Sequence, residues 1–312
     1  MKRKFKALAI ICFFIAGFQS AKSQSDMDAI MMNKNNFCGG AMYGYSSWKN
    51  YWEGTFKRDN ANLGNVSTQT ISIMGNYGIT NKLNVLFGLP YIQTKASAGQ
   101  LKGQNGIQDL SLAIKFLPIE KEIGNGTFSF YTIGLVSLPL SNYVADFLPL
   151  SIGLHSKTAS LRLMADYQYK NLFVTAAGTY TVRDKVKIDR NSYYTNELHY
   201  SNQVSMPDAT NINVRLGYRS DRLIAEAVFD RFTTQGGFDI RKNDMPFLSN
   251  KMNATRVGVG GKYTFKKIAG LSAVANGNYV LAGRNIGQAY SISAGAFYIM
   301  EWSKKKKKDA KK

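Results

Sequence analysis

Two histidine–serine pairs carry the residue types needed for nucleophilic catalysis. His199 and Ser201 are separated by one residue, and His155 directly precedes Ser156. A serine nucleophile needs a histidine base within hydrogen-bond reach and a third group that orients the histidine. Both pairs lie in polar stretches that connect apolar segments, where a solvated histidine is the default. We therefore predict no catalytic residues and a protein that is not an enzyme.

Soft sulfur ligands crowd the first residues that follow the N-terminal apolar run. Thioether and thiolate groups together would suit Cu(I). The alternative is that the methionines pack into an apolar environment and that the cysteine packs as a small hydrophobe. We favour packing, and we expect no metal and no cofactor. The residues concerned are Met27, Met31, Met32, Cys38 and Met42.

The N-terminus has the pattern of an export signal. Basic residues in 1–6 precede the apolar run 7–18, which is shorter than the roughly 20 residues of a membrane-spanning helix. Ala21 and Ser23 then offer the small residues of a cleavage site. We predict a signal peptide over 1–23 and a periplasmic N-terminal segment over 24–35.

The formal net charge of +20 is concentrated at the two ends of the 312-residue chain. Residues 1–23 contribute +5 and residues 303–312 contribute +6, so the ends hold more than half of the excess. We predict that 303–312 is a solvated, Lys-rich periplasmic tail, with contact to anionic lipid as the alternative. Because an exported chain does not meet nucleic acid in the cytoplasm, we expect no nucleic-acid partner.

The body of the chain alternates apolar and polar residues with a period of two, which indicates strands. Most apolar sets span about a dozen residues, enough for a tilted strand to cross a bilayer. We therefore predict an all-β fold, a transmembrane antiparallel β-barrel of about 12 strands over 36–302, in the cell outer membrane. The predicted strand cores are 37–48, 66–78, 83–94, 107–117, 127–139, 159–169, 172–183, 210–219, 222–233, 254–265, 271–281 and 289–302.

The connections alternate in length, as they do in outer-membrane barrels with short periplasmic turns and long extracellular loops. The short ones are predicted at 80–81, 118–126, 170–171, 220–221 and 266–270. An aromatic residue precedes a tight basic turn at this end of alternate hairpins, the arrangement of an interfacial aromatic girdle. The girdle residues are Tyr77, Phe116, Tyr169, Tyr218, Phe265 and Trp302.

The charged residues of the strands avoid the apolar face, because Arg or Lys facing lipid at the midplane costs about 2–4 kcal/mol. They must then line a lumen that holds seven bases and four acids. A tight turn at Ser220 and Asp221 places Arg215 directly opposite Glu226, which predicts an ion pair. These charges either plug a narrow barrel or line a solute path. The predicted lumen residues are Asp109, Lys115, Arg162, Asp166, Arg183, Arg215, Arg219, Glu226, Asp230, Arg256 and Lys262.

One segment resembles a known family. Residues 106–116, GIQDLSLAIKF, resemble the Gly-x-Gly-Asp-Leu-x-Leu-x-x-Lys-aromatic strand of outer-membrane proteins linked to the meta-pathway of phenol degradation, relatives of the long-chain fatty-acid transporter barrels. Gln108 departs from the glycine of that pattern. The resemblance implies an uptake channel for small molecules, including hydrophobic ones, and inward positions for Asp109 and Lys115.

We therefore expect a porin-like channel or transporter that performs no chemistry. Its expected partners are outer-membrane lipid, a small-molecule solute and the barrel-assembly machinery. A structural barrel that presents loops 184–209 and 234–253 to a partner is the first alternative, and a secreted soluble β protein is the second. A barrel enzyme of the outer-membrane phospholipase type, which shares the His-x-Ser spacing, is the remote one.

Overall fold

The computed structural model describes residues 25–242 and 244–301. The predicted signal peptide, Trp302 and the Lys-rich tail lie outside the described residues. Within the described ranges, no helix is long and apolar enough to cross a membrane.

Twelve long antiparallel strands form one closed barrel, as the sequence predicted. Each strand pairs with its neighbours in chain order, and β1 closes the barrel by pairing with β12 as well as with β2. The strands are β1 Asn36–Trp48, β2 Val66–Thr80, β3 Leu83–Ala96, β4 Asp109–Ile123, β5 Gly126–Pro139, β6 Thr158–Tyr169, β7 Leu172–Arg183, β8 Ala209–Arg219, β9 Leu223–Thr234, β10 Asn253–Thr264, β11 Leu271–Arg284 and β12 Tyr290–Glu301. A short strand, Asn105–Ile107, also pairs with β3 just before β4 begins.

The outer surface of the barrel is apolar because alternate residues of every strand point outward. Many large aliphatic side chains on this face are more than 50% exposed, and in water the exposure of each would be unfavourable. A surrounding lipid phase removes that cost, so this face is the lipid-facing surface of an outer-membrane barrel. Examples are Ile114, Leu161, Ile212, Leu216 and Ile292.

Short turns lie at one end of the barrel and long loops at the other. The turn predicted over 118–126 is wrong, because β4 continues to Ile123 and the chain reverses at Gly124 and Asn125. A bulge between Phe116 and Ile119 lets the strand pass Pro118 without losing its pairing with β5. The hairpin of β4 and β5 therefore extends beyond the turn that joins β2 to β3.

The long loops pack together over their end of the barrel. Residues from loops 140–157, 184–208 and 235–252 form one apolar cluster, which gives these loops a core of their own. Loop 184–208 also contains two short strand pairs, and loop 49–65 contains a third. The buried members of the cluster are Ala145, Val186, Ile188, Val204, Met206 and Leu248.

Asn285 connects three of the segments at this end. Its side-chain oxygen accepts from the main-chain N–H of Gly54 at 2.7 Å and of Ile240 at 3.1 Å. Its amide nitrogen donates to Asp239 Oδ1 and to the carbonyl of Lys251, both at 2.7 Å. The hydrogen bonds from Arg284 hold the pKa of Asp239 below its ordinary value, so this link keeps its charge at neutral pH and weakens only in acid.

Candidate functional site

The eleven charged residues predicted for the lumen lie on the strand faces opposite to the lipid-facing side chains. Each of them is buried or half-buried, whereas most of the apolar residues beside them in sequence are exposed. Lys115 is fully buried, and Arg162, Asp166, Arg219 and Lys262 are each less than one tenth exposed. The two motif residues Asp109 and Lys115 share this face, although they lie six residues apart along β4.

Arg215 and Glu226 form the predicted ion pair, with Nη1 and Oε1 2.7 Å apart. Their predicted register is wrong, because Arg215 is aligned with Val228 and Glu226 with Gly217. The turn between β8 and β9 is longer than the expected two residues, so that Arg219 aligns with Ile224. The ion pair therefore forms diagonally across the two strands.

Asp166 and Arg219 form the most deeply buried of the ion pairs within the barrel wall. Arg219 Nη1 and Nη2 reach the two carboxylate oxygens at 3.0 and 3.2 Å, and the guanidinium lies 3.9 Å from the centroid of the Phe173 ring. Thr175 donates to Asp166 Oδ1 at 2.5 Å, and Gln168 accepts from Arg219 at 3.1 Å. The two-pronged geometry and the added hydrogen bonds offset the cost of burying both charges.

Three more of the predicted lumen residues, Arg183, Asp230 and Arg256, have partners toward the long-loop end. Arg256 reaches Asp230 at 3.0 Å, and the Arg183 guanidinium lies 5.5 Å from the centroid of the Phe232 ring. Lys262, nearer the short-turn end, is buried on β10.

Asp109, at the first position of β4, belongs to a small cluster with loop 140–157. The Tyr143 hydroxyl donates to Asp109 Oδ1 at 2.7 Å and accepts from the His155 main-chain N–H at 2.8 Å. Burial and the neighbouring carboxylate raise the pKa of Tyr143, so the phenol stays protonated and continues to donate. Asp109 therefore anchors a long loop, whereas Lys115 lies deeper in the barrel.

Residues 25–33, which we call the plug, lie inside the barrel. We expected 24–35 to be a periplasmic segment, but the side-chain hydrogen bonds and ion pairs of residues 25–32 are with inward-facing side chains of β3 to β6. With its amide oriented to satisfy both groups, Asn84 accepts from the Met32 N–H at 2.6 Å and donates to the Met32 carbonyl at 3.2 Å. The plug thus runs from the start of β1, at the short-turn end, upward into the lumen.

Lys115 is the centre of the plug contacts. Its ammonium lies 3.1 Å from the carbonyl oxygen of Ser25, 2.5 Å from that of Asp28 and 2.9 Å from that of Ile30. It also forms an ion pair with Asp28 Oδ1 at 3.0 Å, and its side chain has 0% exposure. A single buried cation therefore binds three main-chain carbonyls and one carboxylate of the same segment, which fixes the path of that segment.

Two further wall residues hold the plug on the same side of the lumen. Arg162 Nη1 reaches Asp26 Oδ2 at 2.8 Å and the Asp26 carbonyl at 2.9 Å, while its Nε donates to Thr179 at 2.8 Å. The Tyr131 hydroxyl donates to the Ala29 carbonyl at 2.9 Å. Anchors on β4, β5 and β6 therefore bind residues 25–30 of the plug to one side of the barrel.

Sequence reasoning missed the plug residues Asp26 and Asp28 and the wall residues Asn84 and Tyr131. One signal for them was present in the predicted lumen itself, which had seven bases and only four acids. Buried charges need partners of opposite sign, so the excess bases required carboxylates from elsewhere in the chain. Asp26 and Asp28 supply two of them.

Five of the six predicted girdle residues lie at the short-turn end, and four of these are exposed. Phe116, Tyr169, Tyr218 and Phe265 are between 39% and 44% exposed. Phe116 aligns with Leu83, where β3 begins, although its own strand continues for seven more residues. Tyr77 is half-buried and donates to Asn35 at 3.5 Å. Trp302 lies outside the described residues.

Both histidine–serine pairs are occupied by other contacts. His199 Nε2 lies 2.9 Å from Thr195 Oγ1 and its ring stacks on Tyr193, while the Ser201 hydroxyl accepts from the Gln203 N–H. Buried Ser156 donates to the Asp184 carbonyl at 2.7 Å. These contacts hold the loops and align neither serine with a histidine base.

Part of the sulfur-rich cluster packs inside the barrel near its short-turn end. Met32 and Cys38 are buried together with Phe297, and Met42 and Met74 pack against them. Met31 instead packs against the apolar cluster that surrounds Tyr131. Within the described ranges, no group of three or more histidine, cysteine, aspartate or glutamate side chains could hold a metal ion. Met32 and Cys38 pack as buried hydrophobes in this cluster.

The barrel is similar to several solved structures. An outer membrane channel from Pseudomonas putida F1 superposes with a TM-score of 0.71 at 13% identity, covering 89% of this chain and 100% of that one. The TodX monoaromatic hydrocarbon channel has a TM-score of 0.43 at 12% identity, covering 87% of this chain and 91% of that one. The NanC porin has a TM-score of 0.45 at 7% identity, covering 82% of this chain and 98% of that one. The first of these likenesses shows the fold.

A family model covers most of the barrel. The model described as "Putative MetA-pathway of phenol degradation" matches residues 58–296, which is more than half of the chain. No curated protein matches the chain significantly. The matched range includes the GIQDLSLAIKF segment on which the sequence resemblance rests. The chain is an outer-membrane β-barrel and belongs to the family of the putative MetA-pathway of phenol degradation.

Proposed function

We propose that this barrel is an outer-membrane channel that passes small solutes without chemistry, and that its plug restricts the lumen. The observation that carries the proposal is the plug itself, a segment bound by Lys115, Arg162 and Tyr131 inside a closed barrel. A barrel whose only task was structural could fill its lumen with wall side chains. A separate segment held by a few polar contacts is instead suited to partial or complete removal.

Channel function also agrees with the comparisons. The solved barrel with a TM-score of 0.71 is described as an outer membrane channel. The family description refers to phenol degradation, which is consistent with the entry of small molecules. The polar contacts of both histidine–serine pairs support a role without catalysis. Lipid around the apolar face and the assembly machinery common to such barrels complete the proposed partners.

The lumen charges support weak rather than strong charge selection. Glu226 and Asp230 are each paired with an arginine on a neighbouring strand. Asp26 and Asp28 are likewise paired with wall bases. Because each carboxylate has a cation within 3.0 Å, the field along the lumen is largely cancelled.

A structural barrel that displays its loops is the second candidate. The apolar cluster formed by loops 140–157, 184–208 and 235–252 favours it, because ordered loops make a stable surface. The two candidates differ in permeability, since a display barrel needs none.

Liposome swelling with the purified protein tests the proposal. We expect entry of small solutes, with a rate that falls steeply as solute size increases because the plug narrows the lumen. Liposomes that carry heat-denatured protein are the control. Swelling no faster than in this control, for every solute tested, would contradict channel function and favour the display barrel.

A further inference from the structure

The inward face of the barrel is unevenly filled. On the side that binds the plug, inward residues of β4 to β6 are almost completely buried: Lys115 and Ile133 are 0% exposed and Met164 is 1% exposed. On the opposite side, inward residues near the strand ends are buried as well, for example Cys38, Ser272 and Phe297, but those in the middle of β9 to β12, β1 and β2 are half-buried. Solvent-accessible space therefore remains in the lumen along the middle of these six strands.

Strand register aligns the inward residues of this side into a transverse row. Each member pairs with the next across adjacent strands, so the row crosses half of the barrel wall along the hydrogen-bonding direction. Its members are Glu226, Gly260, Asn276, Ser293, Gly44 and Thr70. All six are half-buried.

The side chains of this row are small and polar. Two glycines contribute no bulk, and the serine, threonine and asparagine offer hydroxyl and amide groups that both donate and accept hydrogen bonds. The next row toward the long loops repeats the chemistry with Gly258, Asn278, Ser291 and Ser46. Such groups can replace the water molecules around an uncharged polar solute without binding it through charge.

The same side of the lumen continues past the plug. A cavity there is lined by Ser25 and Asp26 of the plug and by wall residues of β1 to β5 and β12, among them Cys38, Met74 and Phe297. These three wall residues belong to β1, β2 and β12, the strands that also carry the row, and the other wall residues belong mainly to β3, β4 and β5. The open space therefore extends beside the plug toward the short-turn end.

We propose that the solute path runs beside the plug, along β9 to β12, β1 and β2, and accepts small uncharged solutes that carry hydroxyl or amide groups. The inference rests on the proposed channel function and adds the position of the path and the solute class. Glu226 lies in the row, and Arg215 neutralises it at 2.7 Å, so the row has no net charge. A charged solute would lose hydration there without gaining a counter-charge.

Gly44→Phe tests the position of the path. A Cβ at Gly44 would lie 3.8 Å from Thr70 Cβ, an ordinary contact, so the backbone accepts a side chain that then points into the row. The matched control is Ala294→Phe, which adds the same ring to the lipid-facing side of β12 beside Ser293. We expect Gly44→Phe to slow glycerol entry into liposomes at least fivefold and Ala294→Phe to leave it unchanged. Equal rates of glycerol entry for the two variants would overturn the proposal, provided that heat-modifiable gel mobility shows both variants to be folded.

Two further measurements separate this inference from the channel function itself. In a Cys38→Ala background, we expect Ser293→Cys to react with hydroxyethyl methanethiosulfonate from water and lipid-facing Ala294→Cys to react much more slowly. This labelling needs no permeation, so an unreactive Ser293→Cys overturns the path even in an active channel. Absence of entry of every solute tested, glycerol included, in the unmodified protein would instead overturn the channel function. Glycerol phosphate entering as fast as glycerol would overturn the proposed solute class.

Discussion

Replacing Lys115 with methionine is expected to release the plug and to produce large, frequent channel openings. Methionine fills a similar volume but removes the cation that binds Asp28 and the carbonyls of Ser25 and Ile30. Removing one partner of a buried charged network costs about 3–5 kcal/mol. If that cost falls on the bound state of the plug, the equilibrium between bound and released plug shifts by roughly two to four powers of ten. Single-channel recording in planar bilayers measures the change as open probability.

Arg256→Met is the matched control for this experiment. It also removes an inward base, but the ion pair of Arg256 is with Asp230 on the neighbouring strand. We expect a changed ion preference and no comparable rise in open probability. If both variants raise the open probability equally, the effect belongs to lumen charge in general and the role of Lys115 as plug anchor is contradicted.

The second large effect is on stability, and it concerns Asp166 rather than the plug. Asp166→Asn keeps the shape of the side chain but leaves Arg219 as a buried cation without its carboxylate. We expect a loss of about 3–5 kcal/mol in the free energy of unfolding, because Arg219 is only 5% exposed. Equilibrium denaturation of the detergent-solubilised barrel measures this loss.

Two further variants test whether burial of the ion pair determines the size of this loss. Asp230→Asn breaks a pair whose arginine side chain is 37% exposed, so we expect a clearly smaller loss, nearer 1 kcal/mol. The double change Asp166→Leu with Arg219→Met removes both charges and is expected to recover much of the stability. Equal losses for Asp166→Asn and Asp230→Asn would show that burial does not determine the strength of these pairs.

The barrel was predictable because one physical rule applies to every strand. Lipid on one face and a lumen on the other force a period of two, and that period gave strand bounds within about three residues for most strands. The exceptions are at turns. Pro118 indicated the end of a strand, but a bulge carries β4 past it to Ile123. Likewise, the turn at Ser220 was predicted to contain two residues, and this prediction aligned Arg215 with the wrong residue of β9.

The interior of the barrel was only partly predictable. Alternation identified which charges turn away from lipid, but it could not determine which of them meet, because pairing also depends on segments outside the strands. The plug has no periodicity, so its position depends on tertiary contacts such as those of Lys115 with Asp28. The packed loops are similar, since the apolar residues Val186, Val204 and Leu248 lie far apart in sequence and meet only in the folded protein.

The most direct test of the account is the single-channel conductance of a variant that lacks residues 25–33, compared with the full chain in the same bilayer. If this segment restricts the lumen, its removal should increase the conductance several-fold and admit solutes that the full chain excludes. The β-barrel should still close, because β1 begins after the deleted residues at Asn36. A variant that folds and conducts no better than the full chain would contradict the central claim that residues 25–33 restrict the channel.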